Sequence, residues 1–343
     1  MKTCGNSRGA DVKLLVTGGA GFIGSNFVRH VLREHPDDRI VNLDKLTYAG
    51  NPANLADVER DPRYTFVQGD VCDGTLVRDV LGGVDAVVNF AAETHVDRSL
   101  VEPDAFLRTD VFGVFTLLEA VRELRTPRCL HVSTDEVYGS VPHGSSTEQD
   151  PLRPSNPYSA SKASADLLAL SYARTHGVPV VITRSSNNFG PHQYPEKVVP
   201  LFITNALDDQ PLPLYGDGRN VRDWLHVLDN CAAIDLVLRR GRDGEVYNIG
   251  GGHEVENVVL TREILRLTGK PETLIRRVTD RPGHDRRYSV DSTKITKLGW
   301  VPRHPFAAAL DTTVRWYRDH EAWWRPLKSG EFRSWYERQY ANR

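Results

Sequence analysis

The chain has 343 residues, with 43 Lys and Arg against 45 Asp and Glu, and 40% of it is hydrophobic. That length suits about two domain-sized units, and the apolar share suffices for a packed core, which excludes a disordered chain. The net charge of −2 gives no electrostatic reason for a nucleic-acid partner, and no apolar run reaches the ~18 residues of a membrane-crossing helix.

The opening stretch MKTCGNSRGAD has no apolar core of a signal peptide. Cys4, Cys72, Cys129 and Cys231 are scattered without a CxxC pair, which argues against a disulfide framework or zinc cluster and for a cytoplasmic setting. Val12–Thr17 (VKLLVT) reads as a buried strand, and apolar residues then recur at helical spacing over Phe22–Glu34. Arg39–Leu43, Tyr64–Gln68, Asp85–Phe90, Cys129–Ser133 and Pro179–Thr183 read as further strands, with helices over Asp104–Leu124 and Tyr158–His176. Strands alternating with helices predict parallel crossovers, hence an α/β fold with a doubly wound parallel sheet to about residue 185. Beyond it, Ser185–Asp223 is rich in Asn, Gly and Pro around a helix near Lys197–Leu207. Leu228–Arg240 reads as a helix and Glu245–Ile249 as a strand returning to the main sheet. Val255–Gly269, Ser292–Leu298 and Phe306–Trp324 read as helices of a smaller region.

Thr17–Gly24 is TGGAGFIG, which holds Gly19-x-Gly21-x-x-Gly24 and equally Gly18-x-x-Gly21-x-x-Gly24. Such glycines allow a tight strand-to-helix turn and close approach of a pyrophosphate to the helix N-terminus. A glycine pattern alone is weak, but here a strand precedes it, a helix follows, and Asp44 ends the next strand. A carboxylate there accepts hydrogen bonds from ribose hydroxyls and repels a 2′-phosphate, which favours NAD over NADP. Asp70 after the third strand and Asn89–Ala92 after the fourth share the same carboxyl edge, where ligands of open α/β sheets bind. These features predict a Rossmann NAD-binding domain of residues 1–186, joined by 224–252. A smaller, mainly helical substrate-binding domain is expected from 187–223 and 253–343.

Tyr158-Ser-Ala-Ser-Lys162 places Tyr and Lys on one helix face, with Pro157 at the first helical position and Ser155 or Asn156 as cap. A phenol is a poor base at neutral pH unless a nearby cation stabilises its anion. Tyr158 beside Lys162 can then take a hydroxyl proton while hydride leaves the same carbon. The segment Ser133–Gly139 (STDEVYG) adds Thr134, placed to assist Tyr158, and the adjacent acids Asp135 and Glu136. Paired carboxyls exceed what simple hydride transfer needs, and they suit a general acid and a general base working on neighbouring carbons. Without context the pair reads more readily as loop or helix-capping acids.

Together with LDKLTYAGN, AAETHVDRS, SSNNFGPHQYPEK, GDGRNVRDWLHV and DRPGHDRRY, these motifs resemble the TDP-glucose 4,6-dehydratases of the extended short-chain dehydrogenase/reductase superfamily, from about residue 12 to about 328. Phe189 and His226 stand where that family often has Tyr. The resemblance implies conversion of TDP-glucose to TDP-4-keto-6-deoxyglucose for deoxysugar biosynthesis, with NAD regenerated in each turnover. Tyr158, Thr134 and Lys162 would serve oxidation at C4, Glu136 would take the C5 proton, and Asp135 would protonate the departing C6 hydroxyl. The implied cofactor set is Gly18, Gly21, Phe22, Ile23, Gly24, Asp44, Lys45, Thr47, Asp70, Val71 and Ala91, with Tyr158 and Lys162. The implied substrate set is Thr94, Asn187, Glu196, Lys197, Arg222, Asn257, Arg281, His284 and Tyr288, in which the arginines suit a diphosphate. His95 and Arg98 either line the sugar site or shape its loop. Related enzymes pair the helices at 104–124 and 158–176 across a two-fold axis, which implies a homodimer with a four-helix interface.

Twelve histidines are scattered without HxxxH, so no metal is expected. Trp323, Trp324, Trp335 and Tyr336 are expected to pack the last helix against the body. Three other functions share parts of this pattern. A nucleotide-sugar 4-epimerase needs no acid pair, and a decarboxylase of nucleotide uronic acids would want a cation where this chain has acids. A non-catalytic NAD-binding regulator would not need Thr134, Tyr158 and Lys162 together.

Overall fold

The structure, a computed structural model, describes residues 11–340. The reading of the first ten residues, Cys4 included, lies outside them. Lys13–Thr17 (β1) carries β-branched and leucine residues whose side chains alternate across the sheet: Leu14 and Val16 enter one core, Leu15 the other. Arg39–Asp44 (β2), Tyr64–Gln68 (β3), Ala86–Asn89 (β4), Cys129–Thr134 (β5) and Val180–Ser185 (β6) follow. They make one parallel sheet in the spatial order β3, β2, β1, β4, β5, β6. The order reverses between β1 and β4, and the crevice at such a switch is where this architecture takes ligands.

After β6 the chain forms Asn187–Phe189 (β7), Leu212–Tyr215 (β8) and Val221–His226 (β9), then Val246–Ile249 (β10), Glu254–Glu256 (β11) and Ile275–Val278 (β12). β10 pairs in parallel with β6 and completes the sheet, so the predicted strand at 245–249 does return to it. β9 is shared: β7 pairs with it in parallel and β11 antiparallel, while β8 and β12 form their own pair. Phe189 and His226 are register partners, with ring centroids 5.5 Å apart. Helices Phe22–Glu34 and Val227–Arg240 cover one face of the main sheet. Gly74–Leu81, Gly113–Leu124 and Pro157–His176 cover the other. A third core gathers Phe202, Trp224, Ile264, Leu310, Tyr317, Trp324 and Trp335, which places the aromatic tail in packing contacts.

Three expected helices take a different form. The stretch expected as one helix over 104–124 runs as Pro103–Phe106, a π-helical segment Leu107–Phe112, and Gly113–Leu124. Val255 belongs to β11, because Glu254–Glu256 pairs with β9 before the helix Asn257–Thr268 begins. The helix from Phe306 stops at Asp319, and a separate turn covers Glu321–Trp324.

Candidate active site

The turn after β1 brings its glycines against the end of β4. Gly18 has φ +69°, and a Cβ there would lie 2.7 Å from the Ala91 nitrogen. A Cβ on Gly24 would lie 2.3 Å from the Gly18 carbonyl oxygen, so glycine is what lets helix Phe22–Glu34 start this close to the strand. That helix has Gly21 as N-cap, no side-chain cap and no acidic residue in its first turn, which leaves its N–H groups and positive end facing the cavity. The cavity, about 290 Å³, is lined by Gly18, Gly21, Phe22, Ile23 and Gly24, then by Asp44, Lys45, Thr47, Asp70, Val71 and Ala91. It continues to Thr134, Asp135, Glu136, Tyr158 and Lys162.

The Asp44 carboxylate sits at the cavity edge, where it accepts from Ala20 N and Leu46 N at 2.8 Å each. It thus ties the end of β2 to the glycine turn while keeping lone pairs for a ligand. Burial raises its pKa against those two bonds. Lys45 pairs with Asp70 at 2.8 Å across the same mouth.

The catalytic candidates converge from β5 and helix Pro157–His176. Asn156 caps that helix, its side chain accepting from Ser159 N at 2.9 Å in a reciprocal capping box, with Pro157 in the first turn. The helix is thereby fixed with Tyr158 and Lys162 on the cavity face. Lys162 Nζ donates to the Val132 carbonyl at 2.8 Å, and burial lowers its pKa against the pull of Asp110 and Asp166. Burial, with the Glu136 and Asp110 carboxylates nearby, holds the Tyr158 phenol well above its ordinary value, while a hydrogen bond with Thr134 works the other way. A nicotinium ring over the phenol would add a cation that stabilises its anion.

Asp135 and Glu136 differ sharply in surroundings. Asp135 is 3% exposed; its Oδ1 accepts from Thr134 Oγ1 at 3.3 Å and its Oδ2 has no partner among the described residues. Burial, then Glu136 and Asp223, push its pKa well above the ordinary carboxyl value, which favours its neutral form. Glu136 is half-buried, and its Oε2 lies 3.4 Å from the Tyr288 hydroxyl. The surroundings thus favour the neutral form of one acid beside another that stays open to the cleft.

A second cavity of about 140 Å³ shares Glu136, Asn187, Glu196 and Lys197 with the first and is also lined by Arg222, Asn257, Arg281 and His284. Asn187 Oδ1 and Asn257 Oδ1 are buried without a partner among the described residues. Arg222 lies over the Tyr288 ring at 4.2 Å, and Arg281 Nη1 is 3.5 Å from Asp97. Burial, with Arg281 and Arg222 close by, lowers the His284 pKa to about 4, so the ring is neutral; it meets Asp280 at 2.6 Å. Lys197 Nζ bonds the Thr94 carbonyl.

Two members of the expected substrate set are held by partners within the protein. The Glu196 carboxylate is taken up by Tyr48 OH at 2.9 Å and Arg98 Nε at 3.1 Å, so it ties the loop after β2 to the substrate side. Tyr288 stands behind Glu136. His95 lines the second cavity, its Nδ1 3.4 Å from Arg98 N, so it both shapes the loop and faces the site.

Several site residues carry no signal that spacing reveals. Asp110, in the π-helical segment, accepts from Ser161 Oγ at 2.6 Å and Glu93 N at 2.8 Å; burial pushes its carboxyl up to about 7 against Lys162. Asn188 and Gln193 in the first cavity, and Trp224 in the second, each hold a buried polar atom without a partner among the described residues. Tyr340 reaches the second cavity from the last helix. Among the described residues no three His, Cys, Asp or Glu side chains gather as metal ligands, and no helix is long and apolar enough to cross a membrane.

Residues 15–313 match the family model described as GDP-mannose 4,6 dehydratase. A dTDP-glucose 4,6-dehydratase of Streptomyces niveus is 55% identical over 323 residues, covering 93% of this chain and 96% of that protein. The crystal structure of a Streptomyces venezuelae dTDP-glucose 4,6-dehydratase with NAD and dTDP bound superposes with a TM-score of 0.91 at 54% identity, over 92% of this chain and 100% of that one. A Thermus thermophilus UDP-glucose 4-epimerase in complex with NAD gives 0.84 at 30% identity, over 90% and 100%.

Proposed function

The chain belongs to the TDP-glucose 4,6-dehydratase family, and on that footing we propose that it converts TDP-glucose to TDP-4-keto-6-deoxyglucose and water with bound NAD. The observation that carries this reading over epimerisation is the acid pair, a buried Asp135 in the first cavity beside a cleft-facing Glu136 that lines both cavities. An epimerase would have no use for it.

NAD suits the first cavity on its donor set: uncapped helix N–H groups over a glycine turn for the diphosphate, and Asp44 for the adenosine ribose. Bound NAD would supply a two-electron acceptor toward C4 and, once reduced, a two-electron donor toward C6. Tyr158, steadied by Thr134 and Lys162, takes the C4 hydroxyl proton. The C4 ketone makes the C5 hydrogen acidic, and Glu136 removes it. Asp135 gives its proton to the C6 hydroxyl, which leaves as water; before then hydroxide is too poor a leaving group. Glu136 finally returns a proton to C5. Arg222 and Arg281 are the cations for the TDP diphosphate, and Asn187, Asn257, Lys197 and His284 line its path.

The test is incubation with TDP-glucose and, separately, UDP-glucose, with the product identified by NMR and mass. A 4-keto-6-deoxy sugar supports the reading; an epimerised hexose refutes it.

We also infer a cytoplasmic homodimer. The unpaired thiols of Cys72, Cys129 and Cys231 favour a reducing compartment. Leu107, Phe112 and Leu167, exposed at 57%, 49% and 58% on the paired helices, favour a covered face. Phe112→Asp is expected to shift the species seen by light scattering from dimer to monomer.

A further inference from the structure

Glu136 lines both cavities, so a hexose lying over it covers the carboxylate from the cleft side. On the protein side its Oε2 meets the Tyr288 hydroxyl at 3.4 Å, and that hydroxyl is 2.7 Å from Asp285 Oδ2. Asp285 is buried, and the same Oδ2 accepts from the hydroxyl of Ser155, an exposed residue. A continuous line of oxygens therefore runs from Glu136 to the surface, through three segments far apart in the chain.

The line is held from several sides. The Asp285 carbonyl accepts from Asn220 Nδ2 at 3.1 Å and Arg222 Nη2 at 2.9 Å, and the Arg222 guanidinium lies over the Tyr288 ring. Ser155 Oγ also lies 3.3 Å from the Gly283 carbonyl. A phenol buried between two carboxyls costs desolvation that packing alone does not require.

We propose that Tyr288, Asp285 and Ser155 form a proton relay that exchanges the proton on Glu136 with solvent while the sugar fills the cleft. This rests on the reading of Glu136 as the base at C5. Outward, the Glu136 carboxyl O–H breaks as the Tyr288 oxygen gains its proton, and the Tyr288 O–H breaks as Asp285 Oδ2 gains one. Asp285 then releases a proton to the Ser155 oxygen as the Ser155 O–H proton passes to water. Tyr288 and Ser155 each gain and lose one proton, so one proton moves from Glu136 to bulk and no electrons change hands. Inward transfer is the reverse.

The fate of hydrogen at C5 reads this out. TDP-glucose deuterated at C5 is turned over in ordinary water, and the product's C5 deuterium is measured by NMR. The wild type is expected to lose the label. In Asp285→Asn and Ser155→Ala, exchange on Glu136 slows by about 100-fold, the usual cost of losing a positioned proton carrier, and the same deuteron returns to C5. A purely structural role would slow turnover without changing where the label goes. The relay stands if either variant retains label, and it is overturned if both lose it as the wild type does. Ser155→Ala, at an exposed position, keeps the test alive should Asp285→Asn fail to fold. Retention by the wild type overturns the relay but leaves the dehydratase reading; absence of keto-sugar from the wild type overturns the reading itself.

Discussion

Replacing Asp135 by Asn keeps shape and hydrogen-bond acceptor but removes the acidic proton. If Asp135 protonates the leaving hydroxyl, elimination should slow by about 10²–10⁴-fold, the usual share of a positioned general acid. That equals roughly 2.7–5.4 kcal/mol on the barrier at about 1.36 kcal/mol per decade. Glu136 is untouched, so C5 exchange should persist in recovered TDP-glucose when the reaction runs in deuterium oxide, while keto-sugar formation falls. The upward shift of its pKa has a signature in stability. A raised carboxyl pKa means the folded chain holds the proton more tightly than the unfolded one, so Asp135 costs nothing below about pH 4 and increasingly destabilises as pH rises toward its folded value. Asn removes that dependence. Urea midpoints of the variant and wild type should match near pH 4 and diverge in favour of the variant at higher pH. Equal loss of exchange and product, or midpoints that stay parallel across that range, would refute a protonated Asp135 acting as the acid.

Glu136→Gln should abolish C5 exchange by about 100-fold or more while TDP-glucose still binds, as seen by calorimetry. Gly24→Ala places a methyl 2.3 Å from the Gly18 carbonyl, so the turn must shift at about 1–3 kcal/mol, and the purified variant should carry less NAD. Arg184→Met strips the buried Asp166 of its partner at 2.8 Å, and the loss should be about 3–5 kcal/mol in chemical unfolding.

What the sequence reveals follows from which constraints are local. The turn TGGAGFIG, the i and i+4 pairing of Tyr158 with Lys162, and the strand-end Asp135-Glu136 are legible because their chemistry demands fixed residue types at fixed spacing. The seven strands of the main sheet are legible because each is a short run of β-branched and apolar residues between helical stretches. Asp110 is not, since it lies in what reads as ordinary helix, and only the π-helical widening carries its carboxyl toward Ser161 and Lys162. β7 and β11 are three residues each and owe their extended form to β9, a partner no local pattern announces. Glu196 and Tyr288 show the limit of reading roles by position. Both lie at the expected site, but Glu196 is held by Tyr48 and Arg98 from distant parts of the chain, and the bond of Tyr288 to Asp285, three residues away, is one no spacing announces.

The place of β10 bears on how the chain is made. β6 is wholly buried in the finished protein, yet its neighbour on one side begins about 60 residues later. At roughly 5–20 residues per second of synthesis, the nascent sheet shows an unpaired hydrophobic rim for several seconds before Val246–Ile249 emerges to close it. Ribosome stalling in that interval, or a fragment ending near residue 186, is expected to leave a strand that recruits other chains instead of its own.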